Sequence, residues 1–189
     1  MTDPAMVKSG HDRIENDAYD TLEAKWLVKA LKRAYGLPSV AWEPHAGKGD
    51  LVDALKNESV AVYASDKTPR RHDVLERNFF DYRQVPSGQI RGIVMNPPYD
   101  DLDIHVEHAL FLMAQVKGTV ALLARAEWSY AKSRAHLFKF DAFAAKVELT
   151  TRPRWFADGS GSPRHNFAWY IWDFIKSPKQ KPVITWGVK

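Results

Sequence analysis

The residues best suited to chemistry sit in one tetrapeptide, Asn96-Pro97-Pro98-Tyr99, directly after the apolar run Ile93-Val94-Met95. Pro97 confines Asn96 to an extended backbone. The two prolines fix φ at consecutive positions and remove two N–H donors. What remains are acceptors, the Asn96 side-chain oxygen and the Pro97 carbonyl, beside the flat face of Tyr99. Two converging acceptors next to an aromatic surface describe a clamp for an –NH2 group on a planar ring. Such an amino group is a poor nucleophile, because its lone pair is delocalised into the ring. Acceptors that bond its two hydrogens favour a pyramidal nitrogen and stabilise the positive charge that develops as it attacks. Asn96 has no basic form, so the proton must leave afterwards, to water.

Three acidic residues join this corner as candidates. Glu43 ends a short apolar stretch and is followed by Gly47-Lys48-Gly49. A carboxylate beside a G-x-G turn suits a zwitterionic ligand, although the pattern taken alone is equally that of an ordinary tight turn. Neither the phosphate-loop nor the dinucleotide glycine pattern is met. Asp66 follows 23 residues later, where nucleotide folds place an acid on the ribose hydroxyls; the alternative is a strand-end acid capping its own turn. Asp81, after Phe79-Phe80, pairs an acceptor with an aromatic face, as an exocyclic adenine amine requires. A core aromatic pair plus a surface acid is the competing reading. His105 and His108 lie three apart with Glu107 between them. No third ligand follows at suitable spacing and there is no Cys, so no metal is expected.

The elements that must position these residues alternate. Residues 21–35 place Leu22, Trp26, Leu27, Ala30 and Leu31 on one helical face, with Thr21 or Asp20 as cap and Gly36-Leu37-Pro38 as stop. Strands are predicted at 39–44, 59–66, 78–82, 91–99, 118–125, 144–153 and 167–175. Helices are predicted at 49–57, 71–77, 103–116 and 131–140. This order predicts a mostly parallel seven-stranded sheet with an antiparallel edge strand and helices on both faces, a Rossmann-like α/β fold. Such sheets bind ligands beyond the carboxyl ends of their strands. Glu43, Asp66, Asp81 and the Asn96 corner fall at such ends.

The chain has 189 residues, 45% of them hydrophobic, which suits one domain over 1–189. Residues 1–16 read as a flexible tail, and 152–166 as a loop on the substrate side. No separate target-recognition domain is expected. There is no apolar run long enough to span a membrane and no signal peptide. The absence of Cys excludes disulfides and thiolate chemistry and fits a cytoplasmic protein. Residues 125–189 carry 12 Lys/Arg against 5 Asp/Glu, whereas 1–124 carry a net negative charge. The basic part offers Lys132, Arg134, Arg152, Arg154, Arg164 and His165 as contacts to the phosphates of a nucleic acid.

On "WEPHAGKGDL", "YASD", "NFFDY", "VMNPPY" and "RPRWF" followed by "HNFAWYIWD", in that order, the chain resembles the class I S-adenosylmethionine-dependent amino-methyltransferases. In particular it is similar to the small adenine-N6 DNA methyltransferases often encoded by phages and prophages. The resemblance covers about residues 17–175 and includes "NDAYDT" at 16–21. It implies S-adenosylmethionine as cofactor. Tyr19 and Thr21 would contact its methionine end, and Glu43, Gly47 and Gly49 its amino acid portion. Asp66 would bind the ribose, and Phe80 and Asp81 the adenine. Asn96, Pro97 and Tyr99 would receive a flipped target base. DNA is the implied partner, with RNA adenine, a protein glutamine amide and a non-catalytic nucleic-acid-binding module as alternatives. A monomer or weak dimer is expected. Cytosine-N4 enzymes usually carry Ser in place of Asn96.

Overall fold

The structure, a computed structural model, describes residues 21–154, 165–176 and 180–189. Eight strands form one sheet: β1 (Val40–Glu43), β2 (Ala61–Asp66), β3 (Leu75–Glu76), β4 (Gly92–Met95), β5 (Thr119–Arg125), β6 (Phe143–Leu149), β7 (Phe167–Asp173) and β8 (Val183–Gly187). Their spatial order is β3-β2-β1-β4-β5-β7-β6-β8. All neighbours run parallel except at β7, which is antiparallel to both β5 and β6. The helices are α1 (Ala24–Ala34), α2 (Asp50–Asn57), α3 (Leu102–Val116) and the short α4 (Ala135–Lys139).

The central strands β1, β4, β5, β6 and β7 are buried on both faces, and strand alternation decides which side chain goes where. Ile93 and Met95 of β4 join Trp42, Val106 and Leu112 on the face covered by α3. Val94 points the other way, into a cluster with Leu27, Leu31 and Leu55 of α1 and α2. The aromatic strand β7 divides likewise: Trp169 packs on the α1 side, Tyr170 and Trp172 on the α3 side. Each of these large residues also ties its polar atom to a layer. The indole N–H of Trp169 donates to the Leu27 carbonyl at 3.0 Å, that of Trp172 to the Leu137 carbonyl at 2.9 Å. The Tyr170 hydroxyl donates to the Ala126 carbonyl at 2.7 Å. Two cores held to one sheet make a rigid platform beneath the strand ends.

Several local expectations are corrected. No helix forms at 71–77. Arg71 is held in a turn by Asp53 and Asp73, and Leu75–Glu76 pair in parallel with Ser65–Asp66. Residues 78–82 are not a strand but a 3-10 turn over Phe79–Asp81, because the Asn78 side chain accepts the Phe80 amide. The helix expected over 131–140 shortens to Ala135–Lys139, preceded by an extended Ala131 and a 3-10 turn. Thr21 does not cap α1, whose first turn opens on Glu23 without a side-chain cap. The strand β8, absent from the sequence reading, pairs with β6 from Ala145↔Val183 to Leu149↔Gly187. No helix among the described residues is long and apolar enough to cross a membrane.

Candidate active site

The parallel strands bring Glu43, Asp66, Asn96 and Arg125 to a common edge, each at or just beyond a carboxyl end. Glu43 is 1% exposed. Its Oε1 accepts the His45 amide at 2.9 Å. Burial pushes its pKa well above the ordinary carboxylate range, despite that amide, and the neighbouring Asp66 charge pushes the same way. Asp66 sits on the adjacent strand and uses both oxygens. Oδ2 accepts the Gly47 amide and Oδ1 the Thr68 amide, each at 2.8 Å. The acid therefore does cap its own turn, and at the same time closes the glycine turn after β1. Each carboxylate oxygen has further lone pairs for a ligand.

Gly47 and Gly49 adopt positive φ, +50° and +89°, which a residue with a Cβ adopts only under strain. A Cβ at Gly47 would also meet the Arg70 guanidinium at 2.8 Å, and one at Gly49 would collide with Arg71. Among the described residues, what closes over these glycines is arginine. Phe80 is half-buried and Asp81 exposed. Beside them lies an aromatic cluster. The Phe80 and His105 rings are 4.7 Å apart, His105 and His45 4.5 Å, and Phe79 and His108 4.7 Å. His108 meets the Phe79 carbonyl at 3.1 Å. Burial lowers the His105 pKa to about 4, and burial lowers His45 well below its usual value. Both imidazoles are therefore neutral at pH 7. Among the described residues no group of three or more side chains could hold a metal ion.

At the end of β4, Pro97 is buried and Asn96 and Tyr99 are half-buried. The Asn96 amide nitrogen donates to Thr21 Oγ1 at 3.0 Å. Its oxygen accepts, at 3.5 Å, from the Tyr99 hydroxyl. The Arg125 guanidinium lies 5.9 Å from the Tyr99 ring centre, with Phe167 on β7 at 6.4 Å. Arg125 escaped the sequence reading. The signal was there, since it is a lone cation closing an apolar strand at the ligand edge.

The basic candidates divide. Lys132 is exposed beyond β5, and Arg152, Arg154 and His165 flank the ends of β6 and β7. Arg152 bonds the Asn166 side chain at 2.9 Å, and the Arg154 amide donates to Glu23 at 2.8 Å. Together with Thr150, Thr151 and Lys189, these line a depression of about 600 Å3. Arg134 is instead built into the fold. Its guanidinium pairs with Asp103 at 2.7 Å, donates to the Trp128 carbonyl at 3.0 Å and lies over the Trp128 ring. Tyr19 and Arg164 lie outside the described residues, as do residues 1–16 and most of the 152–166 loop.

With this geometry in place, comparison with solved structures is informative. A protein from Pyrococcus horikoshii provisionally named an RNA methyltransferase matches over 81% of this chain and 83% of its own, at 15% identity and a TM-score of 0.54. The methyltransferase subunit of a type I restriction-modification system from Streptococcus thermophilus matches over 85% of this chain, at 13% identity and a TM-score of 0.52. This chain spans only 43% of that subunit. A protein from Lactococcus lactis provisionally named a hemolysin matches over 91% of this chain and 94% of its own, at 15% identity and a TM-score of 0.53. The fold is that of the class I methyltransferases. At these identities the likeness speaks for the fold alone, and the hemolysin's name shows that the same architecture carries other labels. No protein-family model matches the sequence, and no curated protein does.

Proposed function

We propose that this chain transfers a methyl group from S-adenosylmethionine to the exocyclic amino group of adenine in DNA. The observation that carries the reading is the Asn96 amide at the carboxyl end of β4, its nitrogen taken by Thr21 and its oxygen left toward Tyr99. That is the orientation an incoming –NH2 group needs.

The residues present suit the cofactor. Glu43 and Asp66, on adjacent strands, match an ammonium, whose charge would draw off the proton that burial favours on Glu43, and a pair of ribose hydroxyls, and Phe80 with Asp81 matches an adenine ring and its amine. Thr21 and Tyr19 belong to the segment that would lie along the methionine end. When bound, the sulfonium supplies an activated methyl group, so no general acid is required of the protein. The chain's own contribution is alignment and electrostatics. Asn96 Oδ1 and the Pro97 carbonyl accept the two hydrogens of the target amine and stabilise its developing positive charge. Tyr99, backed by Arg125 and Phe167, offers a face on which a flipped base stacks. Holding the amine in line with the methyl group converts a bimolecular encounter into a positioned one.

DNA is proposed as substrate because the second half of the chain is basic and its exposed cations Lys132, Arg152 and Arg154 stand at the same edge as Asn96. In this reading these cations hold phosphates rather than read bases. The test is incubation with radiolabelled S-adenosylmethionine and separate DNA, RNA and protein pools, followed by nucleoside and amino-acid analysis. Label in N6-methyladenine from DNA is the expected result. Label in RNA or in glutamine moves the substrate; label in no pool overturns the reading.

A further inference from the structure

We propose that Arg125 holds a backbone phosphate flanking the target adenine, so that the clamp takes the base as part of its nucleotide. The inference rests on the DNA-adenine reading and deepens it. It names the part of the substrate, beyond the amine, that the active-site corner grips.

Arg125 is the last residue of β5 and is exposed. Its backbone is held on every side. It pairs with Phe167 in the antiparallel ladder between β5 and β7. The next residue is tied twice. The Ala126 amide donates to the Asn166 carbonyl at 2.9 Å, and the Ala126 carbonyl accepts Lys146 Nζ at 2.8 Å.

The side chain is not held in this way. Arg71 and Arg134 are each paired with aspartate. Among the described residues no acid pairs with Arg125, and Glu127, two positions on, is no exception. What the guanidinium meets instead is the Tyr99 ring, 5.9 Å from its centre. That is the outer reach of a cation–π contact, about 6 Å. An arginine on a rigid strand end, with no anion of its own, is set to take one from a ligand.

The role of Tyr99 says which anion. A base stacked on that ring brings its sugar, and the sugar carries a phosphate on either side. A guanidinium fork matches two phosphate oxygens at once. The chain leaving Tyr99 carries two exposed acids, Asp100 and Asp101, which repel a phosphate. Arg125 therefore sets the side on which the backbone runs. The positive charge continues outward from there. Asn166, whose carbonyl holds Ala126, accepts Arg152 Nε on its side chain at 2.9 Å. Arg125 and Arg152 thus mark a path away from Tyr99 across the ends of β5, β7 and β6. A glutamine side chain of a protein has an amide but no phosphate, and would leave Arg125 unused.

The test uses a DNA oligonucleotide that the parent methylates, with the methylated adenine mapped. A neutral methylphosphonate replaces the phosphate on one side of that adenine, on the other side, or, as a control, at a remote position. Single-turnover transfer is measured at saturating cofactor. One of the two adjacent replacements should slow the parent about tenfold, the scale of a hydrogen-bonded charge contact. Arg125→Gln should be about tenfold slower on unmodified DNA, and then indifferent within about twofold to that same replacement. The remote replacement should affect parent and variant alike, and the cofactor dissociation constant should stay within about twofold. A parent that methylates DNA yet ignores both adjacent replacements overturns the inference alone, with no variant needed. So does an Arg125→Gln variant that matches the parent rate. A variant as sensitive as the parent to the adjacent replacement means that another group holds the phosphate, and overturns it too. A parent that methylates none of the pools, or protein only, overturns the functional reading, and this role with it.

Discussion

Two corners of the site solve one problem, aiming an oxygen at a ligand, by different means. After β1 and β2 the oxygens of Glu43 and Asp66 are set by backbone amides of His45, Gly47 and Thr68, all within 19 residues of the acid they bond. After β4 the oxygen of Asn96 is set by side chains, one of them 75 residues distant. Backbone amides come with the turn and resist substitution. Side-chain partners can be lost one at a time. The carboxylate corner should therefore respond to mutation mainly in cofactor affinity, and the amide corner mainly in rate.

The largest effect should come from Asn96→Ala. It should fold, keep most of its cofactor affinity, and lose at least about a hundredfold in single-turnover transfer. That is the scale of one preorganised acceptor acting in the transition state, about 2.7–4 kcal/mol. A variant that transfers at the parent rate would remove the clamp from the active site.

Asp66→Ala should reverse the pattern. Cofactor affinity should fall by about 1.5–3 kcal/mol, the loss of charge-assisted hydrogen bonds. Because Asp66 also closes the Gly47 turn, Asp66→Asn, which retains an acceptor, should recover part of the loss. Calorimetric titration with S-adenosylmethionine decides it. Unchanged affinity in Asp66→Ala would break the contrast between the corners.

The contrast also explains what was legible in the sequence. Elements with a clear apolar pattern, such as β1, α2, β2, β4 and α3, follow from periodicity, although the strand ladders themselves join distant segments. So does the order of their carboxyl ends, and with it the place of Glu43, Asp66 and Asn96. Non-local partners were hidden. Thr21 looks like a helix cap until the fold brings Asn96 to it. Arg134 looks like a surface cation until Asp103 takes it. Residues 71–77 look helical, yet pairing beside Asp66 wins over propensity. β8 went unread although Val183-Ile184-Thr185 is β-branched, because its partner, β6, is distant in sequence and supplies the pairing that makes it a strand.

A smaller effect is expected from the basic edge. If Arg152 and Arg154 meet phosphates, binding to duplex DNA should weaken with salt at a log–log slope of about −0.9 per neutralised phosphate. Arg152→Ala with Arg154→Ala should flatten that slope by about one to two units and leave cofactor affinity intact. Arg134→Ala should instead lower thermal stability, because it strips Asp103 of its ionic partner and leaves it only the Trp128 indole N–H among the described residues. A parent slope near zero would favour a protein substrate.

The smallest effect concerns pH and sharpens the contrast from the carboxylate side. His105 is held neutral by burial, its pKa lowered to about 4 from an ordinary value near 6.5. Between those values the unfolded chain binds a proton at His105 that the folded chain refuses. The stability it contributes is fully present above about 6.5 and is lost as pH falls toward 4. His45, also lowered, adds in the same direction. Glu43 has the opposite sign. Its raised pKa means the folded carboxyl keeps a proton that the unfolded one has released. Its contribution is therefore present below the ordinary carboxylate range and declines as pH rises through the raised value. His105→Phe isolates the histidine effect. It preserves ring contact with Phe80 and His45 and removes a buried Nδ1 that has no hydrogen-bond partner among the described residues. Urea denaturation at pH 7 and pH 4.5 should show the parent losing about 1–3 kcal/mol more than the variant on acidification. Equal losses would mean that His105 is already charged in the fold, and that the aromatic cluster beside Phe80 is wetter than its packing implies.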